Sequence, residues 1–395
     1  MKKIAKISIV LIAISIVIGA IILLTSKNVQ YVGNIEEQKK QASVDTGMWD
    51  TNSVTIVKDT SMGYEINVPI PKGYVMSNVT GETEVKTGLV IYEGEEAVTD
   101  SNKEEAQKTR NQWIWVPVNP SEMYGTDENG NRLGKLYSFN SSGISNNNWS
   151  ETNGVMEISN ITSYREPEIV NDYDIDNYLA EYSENFEMKH ELFKSIKIEF
   201  SEIVNSVEKY GGFYVGRYET GNLKGEKPII VKGNTDIESQ TWYTMYEKCK
   251  VIDDENKNVK TNMIYGSQWD AMLKYLVESG SKTYEEVGEN STSWGNYRES
   301  TFEYIDENGG ISIKDANDTV KIPSGNSEYT KVNNIYDIAG NVYDWTVEAI
   351  SSSSRVFRGG NYYGNGAGIT AGSRDNDFPY YSYDYYGCRA ALYIK

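Results

Sequence analysis

The stretch Asn334–Tyr393 constrains the fold of this chain more than any other. Gly359 and Gly360 stop a short apolar strand there, and Gly387 begins the final apolar strand. Glycine allows positive φ and a close approach of the backbone where strands turn sharply. The 26 residues in between, Asn361–Tyr386, include seven tyrosines. A loop of this length on a rigid frame is typical of a functional segment.

Three spaced motifs follow one another in this stretch. They are Asp337-Ile338-Ala339-Gly340-Asn341-Val342-Tyr343-Asp344-Trp345-Thr346, then Arg355-Val356-Phe357-Arg358-Gly359-Gly360, and finally Gly387-Cys388-Arg389. Together they resemble the C-terminal core of the formylglycine-generating enzyme, or sulfatase-modifying factor, family. A weaker similarity at Gly211–Glu219 and Met263–Asp270 extends the resemblance over about residues 210–395. The resemblance implies an α+β, C-type-lectin-like fold with much irregular structure.

Catalysis in that family depends on a pair of cysteines that binds copper(I) and activates oxygen, because soft thiolates select that metal. Counted forward from the double glycine, the two positions fall on Gly364 and Ile369. Counted back from the final strand, they fall on Asn361 and Gly366. None of these side chains ligates copper(I). We therefore expect no copper and no catalytic residue of this kind.

The same family has structural calcium, and the resemblance places one such site on the turn before Trp345. Its ligands here are the carboxylates of Asp337 and Asp344 and the backbone carbonyls of Gly340 and Val342. Hard oxygen ligands at this spacing suit Ca²⁺, although Asp344 replaces the usual glutamate and is one methylene shorter. The alternative is a turn in which the aspartates cap backbone N–H groups.

The Tyr-rich loop is the candidate ligand-binding surface. Tyrosine offers a large contact area at low entropic cost, and Ser, Asn and Gly add adaptable hydrogen bonding. We predict an exposed contact patch that binds an extracellular protein or glycan. The alternative is that the tyrosines stack for packing within the domain. The predicted ligand-binding residues are Tyr362, Tyr363, Tyr380, Tyr381, Tyr383 and Tyr385.

A charge-free run at the N-terminus, Ile7–Leu24, follows three lysines. Eighteen residues are about enough to cross the hydrocarbon core of a bilayer, and the lysines place the N-terminus inside. We expect a transmembrane helix in a single-pass protein of the cell membrane, with the C-terminal domain extracytoplasmic. A cleaved signal peptide is the alternative, although the three residues after the run make a poor cleavage site.

The chain divides into four predicted parts: an anchor at 1–27, a stalk at 28–52, a β-rich portion with a loop insertion and a helix at 53–209, and the core at 210–395. The β-rich portion is expected to pack onto the core, with a separate small β domain as the alternative. Predicted strands are Val54–Val57, Tyr64–Val68, Gly88–Tyr92 and Gln112–Val118, and the insertion is Tyr124–Asn160. Predicted helices are Glu184–Lys209, Thr244–Ile252 and Ser267–Val277.

Charge and rare residues narrow the classes of function. A net charge of −19 argues against nucleic acid and anionic lipid as partners, since both repel an acidic surface. The single histidine, His190, argues against a His-rich zinc site and a Ser-His-Asp site. Cys249 and Cys388 suit two buried free thiols, with a disulfide between them as the alternative.

These patterns predict a membrane-anchored, non-catalytic binding domain. A formylglycine-generating oxidase acting on sulfatase cysteines and a structural surface protein are the alternatives. The composition of the Tyr-rich loop also resembles that of C-terminal segments diversified by retroelements in C-type-lectin-like proteins.

Overall fold

The computed structural model describes residues 45–126, 132–141, 143–145, 186–235, 238–306, 308–351 and 354–395. These residues belong to one compact unit, Val44–Lys395. The predicted anchor at 7–24 and most of the predicted stalk lie outside them. Within the described ranges, no helix is both long enough and apolar enough to cross a bilayer.

Short strands and a few helices alternate along the described chain, and this mixed α+β class is the one predicted. The strands are β1 (Val54–Asp59), β2 (Ile66–Pro71), β3 (Tyr74–Met76), β4 (Val90–Glu93), β5 (Gln112–Pro117), β6 (Tyr124–Thr126), β7 (Arg132–Gly134), β8 (Ser138–Asn140), β9 (Gly143–Ser145), β10 (Gly212–Gly216), β11 (Val259–Met263), β12 (Phe302–Ile305), β13 (Ile311–Lys314), β14 (Lys331–Val332), β15 (Ile335–Tyr336), β16 (Tyr343–Ser351), β17 (Ser354–Arg358), β18 (Asp375–Asp377), β19 (Tyr386–Cys388) and β20 (Ala390–Ile394). The helices are α1 (Lys103–Thr109), α2 (Pro120–Met123), α3 (Phe186–Tyr210), α4 (Trp242–Lys250), α5 (Gly266–Glu278) and α6 (Tyr284–Gly288).

A six-stranded antiparallel sheet in the order β11-β20-β10-β5-β4-β3 forms the centre of the fold. Within it, Tyr214 of β10 lies opposite Trp115 of β5 on one side and Leu392 of β20 on the other. Every residue of β5 is buried, as expected for a strand covered on both faces. The sheet joins strands from both sides of the predicted boundary at residue 210.

The elements predicted from apolar spacing lie close to their expected positions. The four predicted strands correspond to β1, β2, β4 and β5, with ends shifted by at most three residues. Helices α3, α4 and α5 lie within two residues of the predicted bounds. Helix α3 buries Phe200, Ile203 and Val207 on one face, which is the amphipathic pattern that the sequence showed.

The predicted loop insertion at 124–160 contains more structure than its composition indicated. In its described part, β6 pairs with β7 and β8 pairs with β9. Phe139 of β8 is buried and stacks on Tyr284 at the start of α6, with ring centroids 6.2 Å apart. The many Asn, Ser and Gly residues around it hid this packing from the sequence pattern.

A second sheet, in the order β18-β17-β16-β19, is built from the closing stretch. β16 runs antiparallel to β17, with Asp344 opposite Arg358, and parallel to β19, with Trp345 opposite Cys388. A parallel neighbour requires a long connection, and the chain between Ser351 and Tyr386, which contains β17 and β18, provides it. Strand β18 lies inside this connection, so part of the predicted loop is a strand.

Candidate functional site

The turn between β15 and β16 is held in an unusual backbone conformation. Asp337, Gly340 and Asn341 all have positive φ, at 59°, 74° and 64°. A Cβ at Gly340 would lie 2.2 Å from the carbonyl oxygen of Asn296, so this position requires glycine. The Asn341 side-chain Nδ2 donates to Glu219 Oε2 at 2.7 Å, and its Oδ1 accepts from Ile322 N at 3.0 Å.

The Asp337 carboxylate faces a neighbouring loop. Its Oδ1 accepts from Thr330 Oγ1 at 2.7 Å, and its Oδ2 accepts from Ser324 Oγ at 2.8 Å and Gly325 N at 2.9 Å. The residue is almost fully buried. Three donors therefore bond to this carboxylate, two of them hydroxyls and one the backbone N–H of Gly325.

The Asp344 carboxylate is buried and poorly satisfied. Its Oδ2 lies 3.5 Å from Arg389 Nε, and neither oxygen accepts a hydrogen bond from the residues that the structure describes. Burial raises the pKa of Asp344 to about 7, against the opposing attraction of Arg389. Asp337 adds a smaller repulsion in the same direction as burial.

Glu219, three residues after the end of β10, lies in the same buried, acidic environment as Asp344. Its Oε1 has no hydrogen-bond partner among the described residues, and the side chain is fully buried. Burial, followed by repulsion from Asp337 and Asp344, raises the pKa of Glu219 well above its ordinary value. We call Glu219, Asp337, Asp344 and Arg389 the turn cluster. When all are ionised, it has three negative charges and one positive charge.

The fit of the turn cluster to calcium is partial. No group of three or more His, Cys, Asp or Glu side chains in the described ranges is arranged to hold a metal ion. Asp337 already accepts three hydrogen bonds, whereas both oxygens of Asp344 and Oε1 of Glu219 accept none from the described residues. The residues therefore fit a cation at the Asp344 end better than one shared between Asp337 and Asp344, and calcium remains a prediction.

A second buried cluster fixes the middle of the Tyr-rich loop. Arg358 Nη2 lies 2.8 Å from Asp270 Oδ1, and Arg374 Nε lies 2.8 Å from Glu348 Oε1. Arg374 also pairs with the second oxygen of Asp270, and Arg358 Nε donates to the Ser373 carbonyl at 2.7 Å. We call Asp270, Glu348, Arg358 and Arg374 the brace cluster. Its two acids and two guanidinium groups balance, and they attach residues 372–374 to α5 and β16.

Aromatic side chains of the loop form a continuous band. We define the aromatic band as Tyr362, Tyr363, Phe378, Tyr380, Tyr381, Tyr383 and Tyr385. Neighbouring ring centroids lie 4.2 Å apart for Tyr362 and Tyr363, 6.2 Å for Tyr363 and Tyr385, 5.1 Å for Tyr383 and Tyr385, 5.4 Å for Tyr381 and Tyr383, and 5.8 Å for Phe378 and Tyr381. Tyr380 continues the row, 4.9 Å from Tyr381.

The band is partly exposed and partly supported by the core. Tyr363, Tyr383 and Phe378 are 46%, 42% and 37% exposed. Tyr380, Tyr381 and Tyr385 are half-buried. Tyr362 is only 5% exposed, which differs from the prediction of an exposed contact. Its backbone N–H donates to the Asn341 carbonyl at 3.0 Å.

Support for the band comes from beneath. The Tyr385 ring lies 4.9 Å from that of Tyr386, which in turn lies 4.7 Å from the buried Trp345. The Tyr386 hydroxyl donates to Asp377 Oδ2 at 2.7 Å. The exposed rings therefore rest on a buried aromatic layer and on β18 and do not extend from a free loop.

Sequence reasoning missed several of these residues. Asp270, Glu348 and Glu219 are acidic residues that the fold buries, and no sequence motif assigned them a role. A buried acid in an apolar helix pattern, such as Asp270 beside Trp269, was the signal that could have found the brace cluster. Phe378 was outside the predicted contact set, although it lies in the same loop.

The positions that the sequence analysis aligned with a cysteine pair, at 361, 364, 366 and 369, lie in the first half of the Tyr-rich loop. A Cβ at Gly366 would lie 2.5 Å from Thr292 Oγ1, and Asn361 is buried. Beside them opens a polar cleft of 640 Å³ whose lining includes Glu285, Glu286 and Glu299. Asn365 of the loop donates to Glu299 at 3.2 Å on its edge.

Comparison with known proteins gives only distant similarity. No family model matches the chain, and no curated protein matches it. The crystal structure of CarF is similar at 12% identity over 47% of this chain and 87% of that chain, with a TM-score of 0.32. PvdO from Pseudomonas aeruginosa is similar at 15% identity over 47% of this chain and 81% of that chain, with a TM-score of 0.28.

Treponema denticola variable protein 1 is similar at 18% identity over 71% of this chain and 95% of that chain, with a TM-score of 0.23. These values describe a distant resemblance in fold. They assign neither an activity nor a ligand to this chain.

Proposed function

We propose that this chain is a membrane-anchored, extracytoplasmic and non-catalytic binding domain, and that it captures its ligand through the aromatic band. The observation that supports this proposal is the row of contiguous rings whose outer members, Tyr363, Tyr383 and Phe378, are exposed. Soluble domains rarely expose contiguous apolar surface without a use for it. The anchoring part rests on the sequence of residues 7–24.

Rigidity of the band strengthens the proposal. The brace cluster attaches residues 372–374 to the core, and the Trp269 indole donates to the Ala371 carbonyl at 3.0 Å. Strand β18 pairs with β17 directly afterwards. Rings that are already ordered lose little conformational entropy on binding, so more of their contact energy contributes to affinity.

The rim of the band indicates the charge of the ligand. Asp384 is exposed beside Tyr362, Asp375 is exposed on β18, and the whole chain is acidic. Aromatic faces and carboxylates both attract cations. A protein segment with exposed Lys or Arg therefore fits this surface better than an anionic glycan does, and nucleic acid is the poorest fit.

Catalysis of the formylglycine type has no cysteine to use at the loop. The four aligned positions hold Gly364, Ile369, Asn361 and Gly366. Both cysteines of the chain, Cys249 and Cys388, are buried at other places in the fold. The binding role therefore accounts for more of the site than an oxidase role does.

Arrays of basic peptides and of glycans test the proposal with the purified full chain. We expect the wild type to bind basic peptides, and the variant Tyr363→Ala plus Tyr383→Ala to lose that signal. A matched control, Ile311→Ala plus Ile313→Ala, removes two exposed side chains of β13 outside the band and should bind like the wild type. Failure of the folded wild type to bind either array would favour the structural surface protein, and equal binding by both variants would place the ligand elsewhere.

A further inference from the structure

The two cysteines of this chain meet in the core, although 139 positions separate them in sequence. Cys249 Sγ on α4 lies 3.6 Å from Cys388 Sγ on β19. Both residues are free thiols here and both are completely buried. The fold therefore brings thiols from two distant elements within contact distance of each other.

We propose that Cys249 and Cys388 form a disulfide bond that joins α4 to β19 in the mature protein. A disulfide bond is about 2.05 Å long, so the sulfur atoms need to approach by about 1.5 Å to form it. The proposal is independent of ligand binding. It agrees with an extracytoplasmic location, because disulfides persist in oxidising compartments.

The chemistry of the bond is a thiol–disulfide exchange. One thiolate attacks a donor disulfide, such as oxidised glutathione or the disulfide of an oxidoreductase, and releases a donor thiol. The second thiolate then displaces the other donor thiol from the mixed disulfide. The two cysteine sulfurs lose two electrons and two protons in total, and the donor disulfide takes them up as two thiols.

Burial determines when the bond can form. It raises the pKa of Cys388 well above its ordinary value, and the neighbouring Cys249 adds to this effect. A buried thiol of this kind provides little thiolate for exchange. Oxidation should therefore be fast while the chain folds and slow once a reduced chain has folded.

The position of the bond gives it a structural consequence. The N–H of Trp242, the first residue of α4, donates to the carbonyl of Pro379 within the Tyr-rich loop at 3.0 Å. Cys388 lies three residues after Tyr385, at the far end of the same loop. A bond between α4 and β19 would therefore connect the helix to the loop at a second place and limit the movement of the band.

Refolding in a glutathione buffer tests the proposal. The full chain is denatured, reduced, refolded with oxidised and reduced glutathione, denatured again and treated with a thiol-alkylating reagent. We expect a monomer with no alkylated cysteine, and a peptide map in which the segments of Cys249 and Cys388 are linked. Two alkylated cysteines, glutathione adducts or disulfide-linked dimers would overturn the proposal.

Thermal unfolding provides a second measurement on the same sample. Closing a loop of this length should raise the melting midpoint, so a phosphine reductant should lower that of the oxidised wild type by about 5 °C or more. The double variant Cys249→Ala plus Cys388→Ala should show no effect of reductant. If this variant does not fold, the alkylation result on the wild type decides by itself whether the disulfide forms.

Discussion

The brace cluster and the turn cluster are both buried, yet they differ in charge balance. In the brace cluster, two acids face two guanidinium groups at close distances, and the backbone carbonyl of Ser373 takes a further donor. In the turn cluster, three acids share Arg389, and two of them keep oxygens without hydrogen bonds from the described residues. Balanced charges fix neighbouring elements, whereas excess charge of one sign is relieved by taking up a proton or a cation.

The largest effect is expected when the balance of the brace cluster is broken. Arg358→Met leaves Asp270 and Glu348 buried with Arg374 as their remaining guanidinium partner. Removal of one partner from a buried ion pair costs about 3–5 kcal/mol, so the free energy of unfolding should fall by that amount. Urea unfolding measures it.

A surface pair serves as the control for this variant. Lys58 and Glu65 are 3.1 Å apart and mostly exposed, so Lys58→Met should change the free energy of unfolding by less than about 1 kcal/mol. A loss below about 1 kcal/mol for Arg358→Met as well would show that the brace cluster does not hold the loop.

A smaller effect is expected when calcium is supplied to the turn cluster. A ligand that binds only the folded state stabilises it by about 2.7 kcal/mol at about 100 times its Kd. The melting midpoint of the wild type should therefore rise by several degrees between chelator and saturating calcium. Magnesium, which demands tighter octahedral geometry, should have less effect.

Asp344→Asn tests whether the ion binds to the Asp344 carboxylate, whose oxygens accept no hydrogen bond from the described residues. This variant should lose the calcium-dependent rise in midpoint. Equal midpoints of the wild type in chelator and in calcium would exclude the ion, and the excess charge of the turn cluster would then be relieved by protons alone.

The pH dependence of stability is a third test of the difference in charge balance between the two clusters. The folded-state pKa of Asp344 is about 7, whereas its ordinary value is 3.8. The folded state therefore holds this proton more tightly than the unfolded state does. The contribution of this proton to the free energy of unfolding is fully present below about pH 4. It is lost as the pH rises towards 7, by at most about 1.4 kcal/mol per pH unit.

Unfolding in chelator across this pH range measures the effect. The stability of the wild type relative to Asp344→Asn should fall between about pH 4 and about pH 7 and then become constant. Asp306→Asn is the control, because hydrogen bonds lower the pKa of that exposed carboxyl and its titration lies below this range. A constant difference between the wild type and Asp344→Asn would contradict the raised pKa.

Elements with a clear apolar period were predictable from the sequence. The alternation of Trp113 and Trp115 with aliphatic residues predicted the buried strand β5, and spacing at three and four residues predicted α3. The glycine turn was also predictable, because positive φ at Gly340 restricts the residue type. These features depend on residues close together in the chain.

The contacts of charged and aromatic residues were not predictable in the same way. Asp270 lies 88 residues before Arg358 and 104 before Arg374, and their pairing follows from the fold. Tyr362 and Tyr363 are neighbours of the same type, yet one is buried and the other exposed. The packing of the whole fold separates them, and no local pattern distinguishes two adjacent tyrosines.

The affinity of Tyr383 variants for a basic peptide selected on the array tests most directly whether the aromatic band is a binding surface. Loss of a hot-spot tyrosine costs about 2 kcal/mol, so Tyr383→Ala should raise Kd by about thirtyfold. Tyr383→Phe, which keeps the ring, and Ile311→Ala, outside the band, should bind nearly as the wild type does. The melting midpoints should stay close together, since changes at exposed positions are usually within about 0.5 kcal/mol. An unchanged Kd for Tyr383→Ala, or its unfolding, would contradict the account, because the ring would then be packing and not contact surface.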